Sequence, residues 1–223
     1  MKKIIVLFIS FILSFVIIGE MLLSPVTLKA AEEGVPLKEK YADYKGNSEF
    51  QEFYNSSSET PYYNKVLKEY NEKGYVSAKD TINVDLSTIK DQNGEYIKLS
   101  SFQGKDNVFQ WTKDIKQIEF EVDIKETGLY QIEVEYYMMD NSSNPGVRSI
   151  VIDDKIPFLE ANNVTFPRMF KDANEPIVNS IGDETRPSQV EVRTWRTIRF
   201  IDSTGLVEEP FRFCLTSGKH TIK

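Results

Sequence analysis

The sequence predicts an all-β fold, an antiparallel β-sandwich or jelly roll, preceded by one short helix and an N-terminal signal peptide. Three observations carry that prediction. Apolar residues alternate with charged ones in two runs, Ile118, Phe120, Val122, Ile124 and then Tyr130, Ile132, Val134, Tyr136, the mark of strands with one wet face. Beyond Tyr75 no helical spacing recurs, and polar turns divide the chain into short segments. Composition agrees: 223 residues with 40% apolar and 12% aromatic content suit one ordinary domain plus extras and exclude disorder for most of the chain.

Lys2 and Lys3 precede an apolar run from Ile4 to Ile18 that is broken only by Ser10 and Ser14. Gly19, Glu20 and Met21 to Leu23 follow, then Ser24-Pro25, which stops a helix, and Leu28-Lys29-Ala30 with Ala31 offers a small-residue cleavage site. A positive start, an apolar middle and small residues at the cut are the order of a secretory signal, so residues 1–30 read as a signal peptide and the protein as secreted or extracellular, in a bacterial cell envelope. The competing reading is an uncleaved membrane anchor, because about twenty apolar residues just span a bilayer; Glu20 near the outer end counts against it. No lipobox cysteine lies near the cut, which closes the usual bacterial lipid-anchoring route, and a single cysteine fits such an envelope better than a disulfide-rich secretory pathway.

Residues 31–77 read as a polar linker carrying a short helix over 61–73, with Thr60 as N-cap, Pro61 in the first turn, one apolar stripe of Tyr63, Val66, Leu67 and Tyr70, and Gly74 as the stop. Residues 78–223 read as the β module. Glu126-Thr127-Gly128 joins the two alternating runs as a hairpin. Ile150-Val151-Ile152 is a further strand, and weaker ones fit 81–86, 96–99, 195–201 and 211–215. Ser217-Gly218-Lys219 reads as a hairpin turn before a last strand with His220. Between Asn162 and Val190 periodicity lapses amid Pro167, Pro176 and Pro187; so long an irregular stretch in a compact domain points to function.

The chemistry is narrowed mainly by exclusion. One cysteine and one histidine forbid an internal disulfide, a thiolate zinc cluster and any centre needing several histidines. Removing the first thirty residues, where Lys2, Lys3 and Lys29 outweigh Glu20, takes the formal charge from −7 to −9, and no basic stripe is visible, so nucleic acid is not an expected partner. The 34 acidic residues fall mostly on the polar side of alternating strands, a solvated face rather than a catalytic pair. His220 reads as structural and Cys214, between Phe213 and Leu215, as a buried small side chain; no catalytic residue is assigned and the chain is not expected to be an enzyme. Asp91-Gln92-Asn93-Gly94, Asp153-Asp154 and Asp202-Ser203-Thr204-Gly205 offer oxygen ligands for calcium, but each is also what a β-turn prefers.

Sugar binding needs a flat aromatic face and planar polar side chains around it. Trp111 and Trp195 are the platforms on offer, both equally suited to a sandwich core. Trp195 follows directly on the irregular polar stretch, so a carbohydrate site is expected from Trp195 with Arg168, Asn179, Asp183, Arg186, Gln189 and Arg193.

From about Ala78 onward an ordered series of segments resembles the N-terminal module of long family 1 extracellular solute-binding proteins of Gram-positive ABC transporters. The series runs through Gly128-Leu129-Tyr130, Tyr136-Tyr137, Arg148, Ile152-Asp153-Asp154-Lys155-Ile156-Pro157-Phe158-Leu159-Glu160-Ala161 and Phe166-Pro167-Arg168. It continues with Gly182-Asp183-Glu184-Thr185-Arg186-Pro187-Ser188-Gln189-Val190-Glu191, Trp195, Asp202-Ser203-Thr204-Gly205, Glu209-Pro210-Phe211 and Ser217-Gly218-Lys219-His220-Thr221-Ile222. The resemblance implies a galactose-binding-like jelly roll similar to carbohydrate-binding modules. It also implies a structural Ca2+ near the first and last strands, where this chain carries Asn83-Val84-Asp85. It expects the last strand to continue past Lys223 and a solute-binding domain to follow, so the chain reads as a fragment. The implied function is a non-catalytic carbohydrate-binding-like module of an ABC-type sugar uptake receptor, with an oligosaccharide, the downstream domain and an ABC permease as partners. The alternatives are an accessory module of a secreted glycan-degrading enzyme and a purely structural envelope module.

Overall fold

The computed structural model describes residues 21–30, 60–139 and 144–223. The apolar run Ile4–Ile18, Ala31 and the expected linker up to residue 59 lie outside them. The described chain is mostly β, with antiparallel ladders between its strands and one short helix.

In chain order the elements are β1 (Met21–Ala30), α1 (Tyr63–Glu72), β2 (Ile82–Asn83), β3 (Lys90–Asp91), β4 (Leu99–Phe102), β5 (Lys105–Trp111), β6 (Ile118–Ile124), β7 (Gly128–Met138) and β8 (Gly146–Arg148). There follow β9 (Val164–Phe166), β10 (Met169–Asp172), β11 (Ile177–Val178), β12 (Glu184–Thr185), β13 (Gln189–Val192), β14 (Arg196–Arg199), β15 (Phe213–Leu215) and β16 (Gly218–Ile222). The largest sheet runs β14-β7-β1-β5-β4, with β15 also on β7 and β2 also on β1. A smaller sheet runs β16-β6-β3. One apolar core takes side chains from both, including Leu28, Phe109, Tyr130, Val134 and Tyr136 from the first and Phe120, Val122, Ile124 and Ile222 from the second.

The end of the expected leader is a strand of this sheet. β1 pairs with β7 along its length, and Met21, Leu22 and Leu23 pair on the other side with Trp111, Gln110 and Phe109 of β5. Met21, Leu23, Val26 and Leu28 enter the core. Pro25 lacks the N–H a central strand needs, and the register breaks there, between Ser24 and Val26; Pro25 itself is exposed. An apolar segment with a proline thus serves as a core strand because the proline occupies a bulge.

The two alternating runs form strands with the expected faces, but not the expected hairpin. β6 pairs with β16 and β3, whereas β7 pairs with β1, β14 and β15. Alternation specifies which face is buried and is silent about the partner. The turn between them leads from one sheet to the other: Gly128 lies so close to Ala78 that a Cβ there would sit 2.9 Å from the Ala78 Cα, and Leu129 exchanges backbone hydrogen bonds with Val76 and Ala78. The second expected hairpin fails the same way. β15 belongs to the large sheet and β16 to the small one, so Ser217 lies in a crossover, where its N–H donates to the Thr127 hydroxyl and its own hydroxyl to the Lys125 carbonyl. Ile150–Ile152 forms no regular ladder; it has isolated bridges at Ile152, an exchange of backbone hydrogen bonds between Val151 and Lys223, and one bond from the Ile150 N–H to the Ala161 carbonyl.

α1 begins two residues later than expected, and neither Thr60 nor Pro61 caps it. Tyr62 is the N-cap without a side-chain bond; the Tyr63 N–H donates instead to Glu160 Oε2 at 2.8 Å. Tyr63, Val66 and Leu67 form the buried stripe, and the Tyr63 ring meets Phe158 and Phe211 at 4.5 and 4.8 Å.

The stretch 162–190 is not irregular throughout. β10 pairs with β13 and β11 with β12, which makes a two-stranded arm whose tip is the Asn179–Asp183 turn. From Phe170 to Val190 nearly every residue is exposed, including Phe170, Ile177, Val178, Ile181 and Val190.

Candidate functional site on the outer face of the large sheet

Along β7 the core takes Tyr130, Ile132, Val134, Tyr136 and Met138, so Glu133, Glu135 and Tyr137 point to the opposite face. Around Tyr137 that face collects aromatic side chains from distant segments. Trp195, just before β14, packs edge-on against Tyr137 at 5.7 Å and Phe102 at 6.4 Å between ring centroids, and Phe102 meets Tyr137 at 5.1 Å. Lys105 Nζ stands 5.2 Å from the Trp195 ring centre and pairs with the Glu135 carboxylate. Phe102 and Lys105 are register partners across a tight β4–β5 turn, beside a ladder irregularity that follows Ser100 and a left-handed Asn107 at φ 57°.

Charged pairs continue the patch along the strand. Glu133 accepts from Lys29 of β1 at 2.7 Å and from Arg199 of β14 at 3.2 Å. Burial works against the Glu133 charge, but the two cations outweigh it and hold the carboxyl below its ordinary range. Trp195 is half-buried, and its Nε1–H is shielded with no acceptor among the described residues. The site therefore offers an aromatic cluster and alternating carboxylates and cations on a sheet face.

Of the expected site residues, only Trp195 belongs to this patch; the rest are distributed along the arm. Arg168, at its base, is held by Glu191 in a two-bond fork, Nε to Oε1 at 2.7 Å and Nη2 to Oε2 at 2.9 Å, with its guanidinium over Phe170. Arg193 bonds the same Glu191, and the Arg168 guanidinium above all holds that carboxyl below its usual pKa. Asn179 Oδ1 accepts the N–H groups of Ile181 and Asp183, so Asn179 shapes the tip turn. Asp183 and Arg186 are exposed, and Gln189 is exposed opposite Asp172 on the β10–β13 ladder. Phe102, Lys105, Glu135 and Tyr137 were not legible as a group; the Tyr136-Tyr137 doublet was the only local hint, and nothing in the spacing of Lys105 links it to Trp195 some ninety residues on.

Trp111 is the core tryptophan. It is buried, its Nε1–H donates to the Ile115 carbonyl, and the Arg148 guanidinium lies 4.4 Å from its ring centre, with burial lowering the Arg148 pKa to about 10. A cavity of about 260 Å³ opens beside it, between Lys116, Val147, Asn162 and Lys223. That is below the ~300–1,000 Å³ of typical small-molecule pockets, and Arg148 already covers the indole.

The acidic turns satisfy themselves. Asp91 Oδ1 accepts from Asn93 and Glu95 N–H groups, and Asp202 from Thr204, Leu206 and Val207. Asp85 caps its own turn through Ser87 N–H, while Asn83 bonds Thr27, so this pair does not fit the calcium site the resemblance implies. Among the described residues no three of His, Cys, Asp and Glu converge as metal ligands. His220 is held on both ring nitrogens, Nδ1 against Asp153 Oδ2 at 2.6 Å and Nε2 against the Thr216 carbonyl at 2.8 Å. Burial raises the Cys214 thiol pKa, which keeps it protonated and unreactive.

Comparisons of the chain with protein-family models, curated proteins and solved structures return no match.

Proposed function

We propose that the protein is a non-catalytic, exported carbohydrate-binding-like module that serves an ABC-type sugar uptake receptor. The largest sheet and the β16-β6-β3 sheet would then stack as the layers of a galactose-binding-like jelly roll. The observation that supports this reading is the half-buried Trp195 ring, set among Tyr137, Phe102, Lys105 and Glu135 on an outward sheet face. Sugar C–H faces stack on such rings while hydroxyls exchange hydrogen bonds with carboxylates and amines beside them. The ligand class is an oligosaccharide laid across β7 and β14.

Calorimetric titration of the full chain with neutral and acidic oligosaccharides tests the reading. Binding that Trp195→Ala and Tyr137→Ala each weaken at least tenfold supports it, and a flat trace with every sugar overturns it. A second reading, a purely structural envelope module, draws on the ion pairs of Glu133 and Glu135 and the rings that hem Trp195. It expects those two substitutions to lower stability with no sugar binding to lose.

A further inference from the structure

We infer that Met21–Ala30 remains a strand of the folded protein after export, so that the leader in front of it stays attached to the molecule and holds it at the membrane. The inference does not depend on the sugar-binding reading. It joins two observations about the same ten residues: they carry the end of an export signal with its cleavage motif, and they form an interior strand of the largest sheet.

The strand is seated too deeply to leave without unmaking the sheet. Removing it would strip β7 of a partner from Tyr130 to Met138 and open the β5 edge at Phe109–Trp111, leaving backbone N–H and C=O groups facing an apolar gap. It would also take Met21, Leu23, Val26 and Leu28 out of the core. A segment so placed opens only when the domain itself unfolds, whereas a frayed end opens at almost no cost.

The residues that a peptidase must read before cutting at Ala30 lie within the strand, where Lys29 and Ala30 are half-buried and pair with Gln131 and Tyr130 of β7. Leu28 is fully buried, and Lys29 donates to Glu133, which Arg199 also engages. Folding therefore withdraws Leu28 of the motif from any cut that comes after β7 has docked. A bond already cut after Ala30 would still leave the ten-residue strand on β7, with Met21–Leu23 also held by β5 and Thr27 and Leu28 by β2. Either way, the apolar Ile4–Ile18 run lies directly upstream of a strand the fold does not release, and it supplies the hold that an absent lipobox cysteine cannot.

The test is to express the full chain in a Gram-positive host, separate membranes from medium, and map the natively purified protein by mass spectrometry. Met21–Ala30 is expected with the protein, joined or co-purifying, and the membrane fraction should hold several-fold more than the medium. Exported protein that begins at Ala31 and lacks Met21–Ala30 overturns the inference, whatever its solubility. Two variants separate causes. Leu23→Arg, outside the cleavage motif but in the core and paired on both sides, should raise release into the medium several-fold, while Leu23→Met should match the wild type; equal release from both overturns the strand as the retaining element. A protease site inserted after Glu20 should, once cut, free folded protein that still contains Met21–Ala30; protein that stays on the membrane after that cut overturns it as well.

Discussion

β1 and the arm are both extended segments of the same protein, and they present opposite solutions to one problem. β1 puts Met21, Leu23, Val26 and Leu28 into the core and has backbone partners on both sides. The β10–β13 and β11–β12 ribbon has one partner per strand and leaves Ile177, Val178 and Ile181 between 60% and 80% exposed. A two-stranded ribbon alone is marginal in water, whereas an interior strand shares the stability of the whole sheet. Apolar content alone does not determine which role a segment takes; the number of neighbouring strands does.

The sharpest way to break that contrast is to truncate one apolar side chain in each region. Leu28→Ala is expected to cost about 3 kcal/mol, the middle of the range for a fully buried leucine, while Ile177→Ala in the arm should stay within about 0.5 kcal/mol of the wild type. Urea denaturation midpoints read both, and equal losses would erase the distinction. Next in size is Gly128→Ala, where a new Cβ would meet the Ala78 backbone at 2.9 Å. Overpacking against backbone typically costs about 1–3 kcal/mol. Gly182→Ala at the arm tip meets no atom within 4 Å but sits at φ 89°, so its smaller penalty comes from backbone strain alone.

The smallest effect concerns the arm's base and depends on pH. Glu191 has its folded-state pKa lowered, first by Arg168 and then by Arg193. A carboxylate of this kind contributes stability that is fully present above its unfolded pKa, about 4.3, and lost as the pH falls through the folded value. Wild type should therefore melt higher than Glu191→Gln at pH 7, and the gap should narrow below about pH 4. A gap that is constant down to pH 2.5 would show that the charge does not matter there.

What the sequence revealed and what it hid follow the same physics. The faces of β6 and β7 were legible, because the period of two in Ile118–Ile124 and Tyr130–Tyr136 buries one face of a strand and would scatter apolar residues all round a helix; β7 extends two residues beyond that run at each end. Their partners were not, since a turn such as Glu126–Gly128 serves a hairpin and a change of sheet alike. Met21–Ala30 read as the tail of a leader because membrane and protein core select the same apolar side chains, and Pro25 argued only against a helix. β5 was missed where Asn107, at φ 57°, interrupts its alternation. The arm was missed because its cross-strand pairs are short and separated by Pro176 and Pro187. Of the candidate site, the sequence yielded Trp195; Lys105, Phe102 and Tyr137 join it only through sheet register, which composition does not encode.

The placement of β1 and β16 also sets how the protein responds to force. Tension applied along β1 loads its bonds to β7 and β5 in parallel, so they must shear together. Tension on Lys223 meets a strand whose ladder is with β6 alone, supplemented by the exchange between Lys223 and Val151, and these bonds can peel in sequence. A load carried through the front of the molecule is therefore resisted by the whole sheet, while the same load drawn from the back unzips it from one margin.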